Sequence, residues 1–288
     1  MNEGSPMWRQ SYFLLLAFFL IWSLVGLFIV AFSLETVFDV WGDVIYMSSG
    51  AAVVFFSWQR FYGVRIAVMA FLWVAVASAI AEIVGVHHGV PFGEFHYTEN
   101  FGPLLFQTIP LMIPLAWWII LGSLFMVVDY ALFRISTVEG FNALALFVLV
   151  PLGATLSDLT LEPVAFHVRD YWVWEEGGFY YEVPLQNFLG WLAVSLIGVC
   201  GMFLLTRHKG PRQTMAPLSI TPALLVLFSI LLLFWAASLV NLMILAILIG
   251  FINLAWLGLV IYLTILSEGR RIREFRHRLS SYERKIFL

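Results

Sequence analysis

Glu82, Asp158 and Glu162 lie within, or at the very ends of, apolar runs long enough to cross a bilayer. A charged side chain inside a membrane segment costs roughly 2.5–3.5 kcal/mol on insertion scales, so each acid marks a functional site by default. Asp158 and Glu162 are spaced i, i+4 and share one helix face. Two carboxyls in one low-dielectric site cannot both ionise cheaply, so such a pair keeps a proton at hand for general acid chemistry. Glu82 supplies a further carboxylate that can orient or deprotonate a water. The loops 85–103 and 163–187 follow these acids directly and are dense in aromatic residues. Tyr97, Trp117, Trp172, Trp174, Tyr181 and Trp191 suit an interfacial belt or the walls of a slot for a long planar apolar ligand. Electron-rich rings also stabilise a cation. Glu94, His96, Tyr97 and Asn187 are candidate water-positioning groups around the acids. The competing structural reading is that Glu82 reaches interfacial water and that Glu162 snorkels where Pro163 ends its helix.

The elements that must position these groups are membrane helices. The chain is 62% hydrophobic and 11% charged, whereas soluble domains carry about 25% charged residues. A water-soluble fold is excluded. Apolar runs at 11–33, 44–58, 64–86, 104–133, 141–161, 188–206, 220–240 and 242–266 predict an all-α polytopic transmembrane bundle of about eight spans. Ser48, Ser49 and Gly50 form a small-residue patch suited to close helix packing. With eight spans, Arg9, Arg60, Arg65, Arg134, Arg207, Lys209, Arg212 and the basic residues of the tail fall on one side, and Arg169 alone on the other. That asymmetry places both termini in the cytoplasm and the acidic helix ends, with their loops, on the non-cytoplasmic side of a multi-pass cell-membrane protein. The first run lacks a basic n-region and a cleavage site, and reads as a span and not as a cleaved signal. Residues 1–288 form one membrane domain, with a motif-bearing core at 82–191 and a basic tail at 268–288 that lies on anionic lipid.

Other features carry less. Cys200 is the sole cysteine, so no internal disulfide or cysteine cluster exists. His87, His88 and His96 with Glu94 and Glu99 invite a metal reading, but six histidines in the chain fall short of the clusters of iron oxygenases, and no metal is expected. Glu35, Asp39 and Asp43 read as a solvated acidic stripe. Gly93–Tyr97 and Gly177–Tyr181 share a G-x-F-[H/Y]-Y pattern, a faint internal repeat. No phosphate loop, dinucleotide fingerprint or nucleic-acid surface is present.

These residues resemble the carotenoid hydratase family of membrane proteins, which includes bisanhydrobacterioruberin hydratase and the γ-carotene and lycopene hydratases. The likeness rests on Glu82-x-x-Gly85, Gly89-Val90-Pro91-Phe92-Gly93, Phe95-x-Tyr97, Gly102-Pro103 and Ile113-Pro114-Leu115-x-Trp117. It continues in Asp158-Leu159-Thr160-Leu161-Glu162-Pro163, Trp172-x-Trp174, Gly178-x-Tyr180-Tyr181 and Val183-Pro184-x-x-Asn187-Phe188-x-Gly190-Trp191. Glu162 stands where the pattern has Asp, and Glu182 where it has Gly. The resemblance implies hydration of the terminal double bond of an acyclic carotenoid end group to a tertiary alcohol, without metal, flavin or nicotinamide cofactor. It implies a carotenoid or other long isoprenoid substrate in the bilayer and other carotenoid-pathway enzymes as partners. On chemical grounds Asp158 or Glu162 is the acid and Glu82 the base, or the reverse. An end-group cyclase, another isoprenoid-modifying enzyme and a lipid-binding or proton-coupled transporter are the alternatives.

Overall fold

The computed structural model describes residues 6–32, 34, 39–135, 138–207 and 220–262. Among these it has eight α-helices: α1 (Pro6–Ala31), α2 (Asp39–Tyr62), α3 (Val64–His88), α4 (Met112–Ile135), α5 (Glu139–His167), α6 (Leu185–Thr206), α7 (Thr221–Val240) and α8 (Ile244–Tyr262). Seven are long and apolar enough to cross a membrane. The exception is α2, whose ends carry Asp39, Asp43 and Arg60. The chain is an all-α, multi-pass membrane bundle. Spanning segments must satisfy their backbone internally, which is why the apolar runs fold as helices.

The central helix is α4, whose membrane window is the most buried of the seven; α1 and α8 are the most exposed. Small residues let α2 reach this centre. A Cβ on Gly50 would meet Phe19 of α1, Ile119 of α4 and Val226 of α7 at 3.0–3.3 Å, so three helices converge on the patch read from Ser48 to Gly50. Indoles bind the helices where such residues leave carbonyls open. The Trp58 indole donates to the Gly122 carbonyl at 2.8 Å, and the Trp118 indole to Ala51 at 3.2 Å.

Two helix boundaries differ from the sequence expectation. The fourth helix starts at Met112, not near residue 104, because Phe106 and Gln107 adopt positive φ and Leu104–Leu105 pairs with Ile109–Pro110 as a small hairpin of strands β2 and β3. The fifth helix does not end at Pro163 but continues to His167. Proline removes the N–H that would bond the carbonyl four residues back. That carbonyl, on Leu159, instead accepts the Tyr180 hydroxyl at 2.6 Å.

The start of α2, the α3–α4 and α5–α6 loops and the start of α8 meet at one end of the bundle, the loop end. Strand β1 (Phe95–Tyr97), from the α3–α4 loop, pairs antiparallel with β4 (Trp172–Trp174), from the α5–α6 loop. Asp43 at the start of α2 accepts from Arg169, and Tyr181 accepts the Leu245 N–H at the start of α8. The suggested repeat is not structural: Phe95–Tyr97 is a strand, whereas Tyr180 bridges Val183 in a turn with positive φ at Tyr181 and Glu182. The basic tail, Glu35 and the Asp39 side chain lie outside the described residues.

Candidate active site

Glu82 on α3 and Asp158 and Glu162 on α5 are buried and line one cavity of about 70 Å3 under the β1–β4 ribbon. Its wall is otherwise mostly apolar and aromatic. Glu162 does not snorkel: only 2% of it is exposed.

Each acid has its own set of donors. The Tyr97 hydroxyl donates to Glu82 Oε2 at 2.7 Å and the Trp117 indole to Glu82 Oε1 at 3.0 Å. Two indoles, of Trp172 and Trp174, converge on Glu162 Oε1 at 2.7 and 2.8 Å. The Asn187 amide donates to Asp158 Oδ2 at 2.9 Å. Asp158 and Glu162 also interact with each other, as their i, i+4 spacing requires, and Glu82 acts electrostatically on both. Burial and the neighbouring Glu82 carboxylate push the Tyr97 phenol well above its ordinary value, so it stays a donor.

Strand geometry explains which loop residues reach the cavity. Successive side chains in a strand point to opposite faces. Phe95 and Tyr97 on β1 and Trp172 and Trp174 on β4 therefore face inward and line the cavity. His96, between them, points away and meets Glu175 at 2.8 Å on the exposed side. Glu94 is exposed, its carbonyl accepting the Glu175 N–H. Tyr181 also lies outside the cavity: its hydroxyl accepts the α8 N–H groups and its carbonyl meets His167. Trp191 does line the cavity, stacking on Trp117 with centroids 3.9 Å apart and planes at 19°.

Glycines set the close approaches. A Cβ at Gly85 would come within 3.1 Å of the Phe92 and Phe95 rings, and one at Gly190 within 2.5 Å of Phe92. Phe92 is thus clamped between α3 and α6, and it walls the cavity. At Gly178 the Val183 carbonyl oxygen occupies the Cβ position, 1.8 Å away, so no other residue fits that turn.

Sequence reasoning passed over Tyr171. Its ring lines the cavity and stacks on Phe101 at 4.0 Å. Its hydroxyl donates to Asp43 Oδ2 at 2.6 Å and accepts from Arg169 Nε at 3.0 Å, while Arg169 Nη2 lies 2.6 Å from Asp43. Burial and the Asp43 carboxylate raise the Tyr171 phenol, so it remains protonated. Asp43 is therefore half of an ion pair and not part of a solvated stripe. The signal was Arg169, the one arginine or lysine that the hydropathy pattern assigns to the same side as the three acids. His87 bonds the Ile83 carbonyl, and among the described residues no three His, Cys, Asp or Glu side chains are grouped to hold a metal.

A family profile described as carotenoid biosynthesis protein matches residues 42–264. The chain belongs to that family. A bisanhydrobacterioruberin hydratase from Haloarcula japonica is 33% identical over 121 residues, covering 41% of this chain and 38% of that protein. No solved structure matches. The profile's match, residues 42–264, contains all three acids, the ribbon and the aromatic walls, so the family assignment and the cavity describe the same part of the molecule.

Proposed function

We propose that this carotenoid biosynthesis protein is a hydro-lyase-type enzyme that adds water to the terminal trisubstituted double bond of an acyclic carotenoid end group. The observation that supports this most is the convergence of three buried carboxyl side chains, each held by its own donors, on one small aromatic-walled cavity. The name of the Haloarcula relative agrees with it.

In the proposed step, the Asp158–Glu162 pair holds one proton between its two carboxyls. Asp158, with a single amide donor, delivers that proton to the less substituted alkene carbon; the π bond breaks, a C–H bond forms and a tertiary cation remains. The Trp117–Trp191 stack and the carboxylates stabilise it. Glu82, with a donor on each oxygen, orients a water and takes its proton as the C–O bond forms. Transfer of that proton back to the pair restores the site. The acids at their helix ends face the non-cytoplasmic side in this proposal, as the arrangement of arginines and lysines suggests.

Expression in a lycopene-accumulating bacterial host tests the reading. More polar pigments heavier by one or two waters, lost on Asp158→Asn at equal protein level, are expected. A product of unchanged mass would instead point to end-group cyclisation. Sidedness is read separately: on a Cys200→Ala background, a cysteine at the exposed Phe179 should react with an impermeant maleimide added outside intact cells.

A further inference from the structure

A second, larger cavity of about 560 Å3 adjoins the acid cavity, and Met47, Tyr171 and Phe234 line both. Its volume falls within the range of ligand pockets, about 300–1,000 Å3. Its long wall is apolar, built from Val25, Ile29 and Val30 of α1 and Leu233, Ala237 and Val240 of α7. Asp43, Arg169 and Asn241 close the loop end. The two charges there face each other at 2.6 Å, and the Asn241 amide donates to the Ala237 carbonyl at 2.9 Å.

We propose that this chamber holds the polyene of the substrate whose end group enters the acid cavity; the assignment rests on the carotenoid reading above. A cavity of about 70 Å3 admits one end of an isoprenoid, so the chain must leave it, and the shared wall at Met47, Tyr171 and Phe234 leads along the apolar α1–α7 wall of the larger space. Met47 is an unbranched thioether able to change shape as the chain passes. Along α1, the rise from Trp22 to Ile29 is about 10 Å, the length of about two extended isoprene units. Val25, 39% exposed, lies where the rest of the chain passes into lipid beside α1. The rival occupant, a phospholipid, would need a cation for its phosphate, and Arg169 is already paired with Asp43.

The test is retention and turnover of two probes bearing the same end group, lycopene and the ten-carbon myrcene. Leu233→Trp should cut the lycopene that co-purifies with the protein about tenfold while myrcene hydration stays within about twofold. Phe228→Trp, on the exposed face of the same helix, should change neither. Val30→Phe should reproduce the loss, and serves if Leu233→Trp does not accumulate. Wild-type lycopene retention by both chamber variants, parallel loss of lycopene and myrcene, or a phospholipid displaced with lycopene unaffected would each overturn the chamber. Lycopene held by the wild type and lost in the chamber variants, with no hydration of either probe, would leave the chamber standing and remove the hydratase reading. Equal lycopene hydration by wild type and variants would do the reverse.

Discussion

An acid gripped by a tyrosine occurs at both ends of this bundle. At the loop end Tyr97 donates to Glu82 at 2.7 Å; towards the opposite end Tyr62 donates to Asp129 at 2.6 Å. The surroundings differ. Near Asp129, Tyr62 packs on Trp58 with ring centroids 4.4 Å apart, and Trp58 in turn packs on Trp118 and Phe125. Asp129 lines neither cavity. Glu82 faces open space shared with two more carboxyls. A half-buried carboxylate with a good partner is thus explained as a structural feature; convergence of several fully buried ones on a cavity is what the proposed chemistry draws on.

The largest expected effect breaks the comparison at its strong end. Glu82→Gln, Asp158→Asn and Glu162→Gln should each lower turnover about 10²–10⁴-fold at equal protein level, read by pigment conversion in membranes. Full activity in all three would sink the acid assignment. Asp129→Asn should leave turnover nearly unchanged and lower stability by about 1–2 kcal/mol, measured by thermal melting in detergent. Trp174→Phe removes one of two indole donors from Glu162 and should cost about tenfold in kcat, since hydrogen bonds to charged groups contribute about 1.5–3 kcal/mol. Gly190→Ala forces a Cβ to 2.5 Å from Phe92 and should destabilise by about 1–3 kcal/mol, whereas Gly258→Ala, with nothing within 4 Å, should be neutral or slightly stabilising. His96→Ala sits at the small end. Its pair with Glu175 is more than half exposed on both sides, so activity and stability should move by less than about 1 kcal/mol.

The three acids were legible in the sequence because an ionisable residue inside an apolar run is costly and helix periodicity puts Asp158 and Glu162 on one face. The helices were legible for the same reason, run length. The ends were not. Pro163 reads as a stop until Tyr180, distant in the loop, takes up the carbonyl it frees. Phe106 and Gln107 carry no glycine or proline signal, so their left-handed turn was invisible and the fourth helix seemed to begin early. His96 and Tyr97 looked equivalent because the strand that sends them to opposite faces exists only through pairing with Trp172–Trp174. Local pattern cannot supply a partner 77 residues away.

That pairing has a consequence for how the protein is made. The ribbon joins segments from separate membrane hairpins, and the donors to Glu162 sit on one of its strands while Tyr97, the donor to Glu82, sits on the other. A nascent chain that has inserted only through α4 holds Glu82 with no Trp172, Trp174, Asp158 or Glu162 to complete the cavity. The acid cavity is therefore completed late, when the α5–α6 hairpin docks, and contacts this distant in sequence form slowly. On the proposed mechanism, competence to protonate an alkene is withheld until that hairpin is in place.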